Sequence, residues 1–126
     1  MRVGDVLPEL SIAVTRTMIV ATAIASRDFQ DVHHDPALAA ERGSPDIFMN
    51  ILTTNGIVGR YVTSWAGPAS VVKKLRIRLG VPNHPGDTMT LRGSVTAVDD
   101  GQVSVEVVGA NERGPHVTGL VIVRVP

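Results

Sequence analysis

The sequence predicts an α+β fold from three observations. Apolar residues at helical spacing are confined to the first half, two-residue alternation fills the second, and turn signals divide that second half at intervals. Leu10 to Val14 reads as a first strand, and Thr17 as the cap of a short helix running to about Ser26. A polar stretch from Asp28 to Asp35 follows. Asp35-Pro36 then places a capping side chain before a proline at the first helical position, and Gly43 supplies the stop, so residues 36–42 form a short helix.

The longest helical candidate runs from Ile47 to about Trp65, with Asp46 as its cap and Gly67-Pro68 as its end. Phe48, Ile51, Leu52, Ile57, Val58, Tyr61 and Val62 form its buried stripe. Gly56 and Gly59 inside it cost about 1 kcal/mol each relative to alanine, and so predict a second backbone packed closely against this helix. Beyond Ser70 the chain reads as strand. Leu75, Ile77 and Leu79 alternate with Lys74, Arg76 and Arg78, a half-buried pattern. After a turn at Pro82 to Asp87, Met89 to Val98 and Val103 to Gly109 are strands joined by Asp99-Asp100-Gly101, a hairpin signal. A turn at Arg113-Gly114-Pro115 leads to the last strand, Val117 to Val125.

Composition bounds the function. A chain of 126 residues suits one domain, here residues 1–126, with 44% hydrophobic but only 3% aromatic residues, so Val, Ile, Leu and Ala must build the core. Twelve basic residues balance twelve acidic ones, which argues against nucleic acid as a partner. No cysteine is present, so disulfides and thiolate metal sites are excluded. No apolar run approaches the roughly 20 residues of a membrane span, and the start lacks the apolar core of a secretory signal. The expectation is a cytoplasmic protein with no membrane partner.

Chemistry concentrates in Ser26-Arg27-Asp28-Phe29-Gln30-Asp31-Val32-His33-His34-Asp35, which holds three carboxylates and two imidazoles. Such a cluster suits general acid/base catalysis, metal ligation or simple loop capping. Asp35 is spoken for as a cap. Adjacent histidines seldom point the same way, and no cysteine supplements them, so no metal is expected.

This segment resembles the catalytic motif of the MaoC-like, R-specific enoyl-CoA hydratases, Ser-Gly-Asp-x-Asn-Pro-(Leu/Ile)-His. Ser26, Asp28 and His33 fall on its Ser, Asp and His, and Pro82 with Pro85-Gly86-Asp87 resembles the family's Pro-x-x-Pro-Gly-Asp turn. Arg27 stands at the motif glycine, and Ile47-Phe48-Met49-Asn50 replaces the family's His-Gly-Met. The segments 28–35, 46–53 and 60–68 are similar to the small catalytic subunit of actinobacterial steroid (cholesterol) side-chain enoyl-CoA hydratases. The resemblance implies a single hot-dog fold, a curved antiparallel sheet around a long central helix. It further implies hydration of a 2-enoyl-CoA, with Asp28 and His33 as the acid/base pair. The expected partners are an acyl-CoA substrate, a second MaoC-like hydratase chain in an α2β2 heterotetramer, and a downstream aldolase. No cofactor is expected beyond the coenzyme A that the substrate carries.

For the thioester oxygen, backbone N–H groups at the start of the long helix are the natural donors, taken as the region Ile47, Phe48, Met49 and Asn50. Lys73 and Lys74 either meet the phosphates of coenzyme A or belong, like Arg76 and Arg78, to the solvent face of a strand. His84 and His116 read as bystanders in turns. Two alternatives stay open. One is a hot-dog thioesterase, which usually carries a carboxylate on the central helix where this chain has none between Ile47 and Trp65. The other is a non-catalytic, tunnel-forming subunit.

Overall fold

A computed structural model describes all 126 residues. The order is β1 (Leu10–Ala13), α1 (Arg16–Ala25), a 3₁₀ turn (Asp31–His33), α2 (Pro36–Glu41) and α3 (Ile51–Ala66). Four strands follow: β2 (Val71–Leu79), β3 (Thr88–Asp99), β4 (Gln102–Asn111) and β5 (Gly114–Arg124). They form one antiparallel sheet in the order β1-β3-β4-β5-β2. The long helix α3 lies against β5 and β2, which is the α+β hot-dog arrangement.

Alternation sets the sheet's inner face. Val103, Val105 and Val107 of β4 and Val117, Val121 and Val123 of β5 are buried, and they meet Ile57, Val58, Tyr61 and Val62 of α3 in one core. With few aromatic residues in the chain, the layer between helix and sheet is filled by β-branched side chains, which suit a pleated surface. Tyr61 needs room, and Gly93 of β3 provides it, since a Cβ there would sit 3.2 Å from the tyrosine ring. The β3–β4 hairpin closes on Asp99 and Gln102, with Asp100 at φ 47° and Gly101 at φ 78° between them. Positive φ at both loop residues is the two-residue turn whose twist matches the strands.

Three local expectations are corrected. Thr15, not Thr17, caps α1, its hydroxyl accepting from Met18 N–H at 3.1 Å. The long helix begins at Ile51 and is capped by Asn50, four residues beyond the expected start at Ile47 with Asp46 as cap. Both Asp46 and Asn50 are good capping residues, but Asp46 is held by Arg16 in a two-pronged ion pair and accepts from Ile47 N–H at 2.7 Å. That pair holds the Asp46 carboxyl down at about 2. Finally, no second backbone packs on the helix glycines: the Cβ position of Gly56 faces open space and that of Gly59 meets only the Leu75 side chain, at 3.5 Å.

Candidate active site

Helix α1 ends by delivering Asp28. Arg27 N–H donates to Ile24 O and Asp28 N–H to Ala23 O, both at 2.9 Å, while Arg27 adopts φ 57°. This is the Schellman stop, with the residue after the cap in the left-handed conformation that glycine prefers. The position Arg27 occupies is the one the related motif gives to glycine, and the backbone conformation explains why. Asp28 leaves the cap with its carboxylate part-exposed, and Gln30 N–H donates to its Oδ1 at 3.3 Å.

The 3₁₀ turn then carries His33 inward. Its ring is buried, and Nε2 lies 3.3 Å from Asp28 Oδ2. Nδ1 lies 2.7 Å from Phe48 O. A carbonyl can only accept, so Nδ1 carries the proton, and in the neutral imidazole Nε2 is left as the basic nitrogen. Phe48 also stacks edge-on against the ring, with centroids 5.0 Å apart. His34, one residue on, is exposed, and Asp31 is turned to a two-pronged pair with Arg42 at 2.8 Å. Thus the four neighbouring acids and imidazoles separate into one converging pair and two outliers, and no three of them gather as a metal ligand set.

Between Asp46 and α3 the chain is not helical, and the amides of Ile47, Phe48 and Met49 are occupied. Ile47 N–H donates to Asp46, Phe48 N–H to Val32 O at 3.1 Å and Met49 N–H to Asn83 O at 3.1 Å. The N–H groups of Asn50, Ile51 and Leu52 have no acceptor within the chain. Beside them a groove of about 430 Å³ runs between α1 and α3, lined by Met18, Thr22, Ser26, Thr53, Gly56 and Arg60 among others. Gly56, with no side chain, keeps that groove open.

Other predicted site residues lie apart. Lys73 and Lys74 are exposed on β2, at an edge of the sheet and beside a bulge between Val72 and Lys74. No hydrogen bond or ion pair joins them to the Asp28 cluster. Arg76 and Arg78 are exposed on the outward rows of β2, beside Glu106. His84 also meets Phe48 edge-on, with ring centroids 6.4 Å apart, and its Nδ1 lies 2.9 Å from Ile47 O. His116 is in no turn: it is buried within β5, bonded to Val81 O and the Thr54 hydroxyl.

One contributor was invisible as a side chain in the sequence. Asn50, fully buried, points its amide nitrogen at Ser26 Oγ (2.9 Å) and at Asp28 Oδ2 (3.2 Å). The spacing Asn50-x-x-Thr53 before the apolar stripe is the signal that could have placed the true helix start.

The comparisons bear on the family and the fold. The model of the MaoC like domain family matches residues 3–114. A relative from Mycobacterium tuberculosis, the 3-oxo-4,17-pregnadiene-20-carboxyl-CoA hydratase beta subunit, is 57% identical over 119 residues, 94% of this chain and 92% of the relative. Among solved structures, the ChsH1-ChsH2 complex from the same organism aligns at TM-score 0.98 with 54% identity, over 99% of this chain and 98% of that one. The (R)-hydratase from A. caviae involved in PHA biosynthesis aligns at TM-score 0.87 and 25% identity, covering 100% and 98% of the two chains. With the family model matching most of its length and a 57% identical relative covering 94% of it, the chain belongs to the MaoC-like domain family.

Proposed function

We propose that this chain is the catalytic subunit of a heteromeric hydratase acting on a steroid side-chain enoyl-CoA. It is a hydro-lyase of the MaoC-like family. The observation that carries the assignment of its site is the fixed tautomer of His33, whose free Nε2 faces Asp28 Oδ2 across 3.3 Å. A water held by these two atoms gives a proton to the pair as its oxygen bonds the β-carbon. The double-bond electrons move onto the thioester oxygen, and the pair then returns a proton to the α-carbon. One O–H bond and the C=C π bond break, one C–O and one C–H bond form, and the pair ends as it began. General acid/base help of this kind is worth about 10² to 10⁴ in rate.

The developing oxyanion needs donors. The amides of Ile47, Phe48 and Met49 are engaged, so the free N–H groups from Asn50 to Leu52, at the positive end of α3, take that role. The groove beside them takes the acyl group. Lys73 and Lys74 remain the lysines proposed to reach the phosphates of coenzyme A. The name of the 57% identical relative supports a steroid thioester as substrate and a beta-subunit role, and the solved ChsH1-ChsH2 complex supports a different chain as partner. The proposed partner is a second MaoC-like hydratase chain, in an α2β2 assembly. Hydration yields a β-hydroxyacyl thioester, a group set up for retro-aldol cleavage, so a downstream aldolase is the fitting consumer. The proposed compartment is the cytoplasm; no helix is long and apolar enough to cross a membrane. A thioesterase reading is disfavoured because α3 carries no Asp or Glu.

The test is co-expression with a MaoC-like partner chain and an assay of 3-oxo-4,17-pregnadiene-20-carboxyl-CoA by loss of enoyl absorbance. Asp28→Asn and His33→Ala should each lower turnover by at least about 10² with the fold intact. Their double variant should fall little further, because both act on one water. Near-full turnover in either single variant overturns the mechanism.

A further inference from the structure

We propose that the Asn50 side chain is a positioning residue for Asp28: it orients the carboxylate toward His33. This rests on the hydratase reading of the Asp28–His33 pair. Asn50 Oδ1 accepts Thr53 N–H at 3.3 Å and the Thr53 hydroxyl. A backbone N–H can only donate, so the amide cannot be turned over, and its NH₂ must face Ser26 and Asp28. Ser26 in turn donates its hydroxyl proton to Thr22 O at 2.7 Å, leaving its oxygen to accept from Asn50 at 2.9 Å. The amide therefore ties the end of α1 to the start of α3 and presents one N–H to Asp28 Oδ2, the same oxygen that faces His33 Nε2. The one charged side chain of α3, Arg60, makes no ion pair with Asp28, and the titratable group that faces the carboxylate is His33. The amide is a neutral donor on the carboxylate beside Gln30 N–H, and it is buried where its hydrogen bond is strong.

Capping and positioning can be separated because serine caps a helix about as well as asparagine but cannot place an N–H on Asp28. In the assembled enzyme, Asn50→Ser should keep Tm within a few degrees of the parent. Its kcat should fall about tenfold or more, with KM within about twofold. Asn50→Asp also keeps the cap but sets a second carboxylate against Asp28, and its kcat should fall further. Asn50→Ala loses both roles and should fall in Tm as well.

A parent-like kcat in Asn50→Ser would overturn the proposal. So would losses that only track Tm across the three variants. The ¹³C shift of the Asp28 carboxyl in the labelled complex, compared at one pH, decides the point without turnover: it changes in Asn50→Ser if the proposal holds, and stays if it does not. Asp28→Asn in the same assay tests the hydratase reading separately, since full turnover there sinks that reading while the NMR comparison still judges Asn50.

Discussion

The 3₁₀ turn at Asp31–His33 rotates the His33 ring onto Phe48 and leaves His34 in solvent. Consecutive side chains on so tight a turn diverge, so the two imidazoles have different fates. His34→Ala should therefore change hydration less than about threefold, against the drop of about 10² for His33→Ala. If His34 proves the more damaging in side-by-side rates, the catalytic motif is read one residue out of register. His116 illustrates a different use of the same side chain. Burial pushes its pKa down, partly offset by the bond to Val81 O and the charge of Asp87. The folded state thus keeps the ring neutral while the unfolded chain binds a proton near pH 6.5. Stability from this group is present above about pH 6.5 and is lost as pH falls toward the lower folded value. Calorimetric Tm should decline between pH 7 and pH 5, and His116→Gln should flatten part of that slope while lowering Tm at pH 7. An unchanged slope in the variant would show that other groups set it.

Helix α3 owes its place in the proposed site to where it begins. Had it started at Ile47, the Phe48 carbonyl would accept Leu52 N–H in the helical ladder. Because residues 47–50 are not helical, that carbonyl is free for His33 Nδ1, and the choice of tautomer follows. This stretch is held from outside the helix, by Val32 O, Asn83 O and the Arg16–Asp46 pair. Sheet elements are constrained as tightly. Gly109 lies in β4 where its register with β5 shifts, and a Cβ there would stand 2.9 Å from Val117, 3.0 Å from Leu91 and 3.1 Å from Met89. All three neighbours are fully buried, so none can yield cheaply. Gly109→Ala should cost about 1–3 kcal/mol in urea unfolding. A neutral substitution would mean the layer between β3 and β5 is looser than these contacts state.

At the scale of the whole molecule, the sheet is left open along β2, whose Val71, Val72 and Leu79 are 54%, 40% and 40% exposed. Beside the site, Phe29, Ile51 and Leu52 are 66%, 49% and 51% exposed. An unpaired edge with apolar side chains invites association, and a chain with only four aromatic residues has little with which to cover that surface itself. The isolated chain should therefore self-associate in light scattering and hydrate the steroid thioester poorly. Co-expression with a MaoC-like partner should give a defined complex with high turnover. A stable monomer of full activity would refute this.

The sequence by itself determined the class of fold and the strands, and its resemblance to the hydratase motif pointed to Asp28 and His33 as the proposed pair. Period-two alternation and Asp100-Gly101 are local signals. Each depends on neighbours in the chain, and each is legible without knowing what packs above it. Only the tertiary structure decided where α3 begins, that Gly56 faces a groove, and that His116 is buried. It alone decided that Asn50 turns its amide on Asp28. Asp46 and Asn50 are equivalent capping residues in local terms, and the choice between them fell to Arg16, Val32 and Asn83, which no local rule brings near. Where two local solutions are nearly equal in free energy, contacts between distant segments select one, and here that selection builds the site.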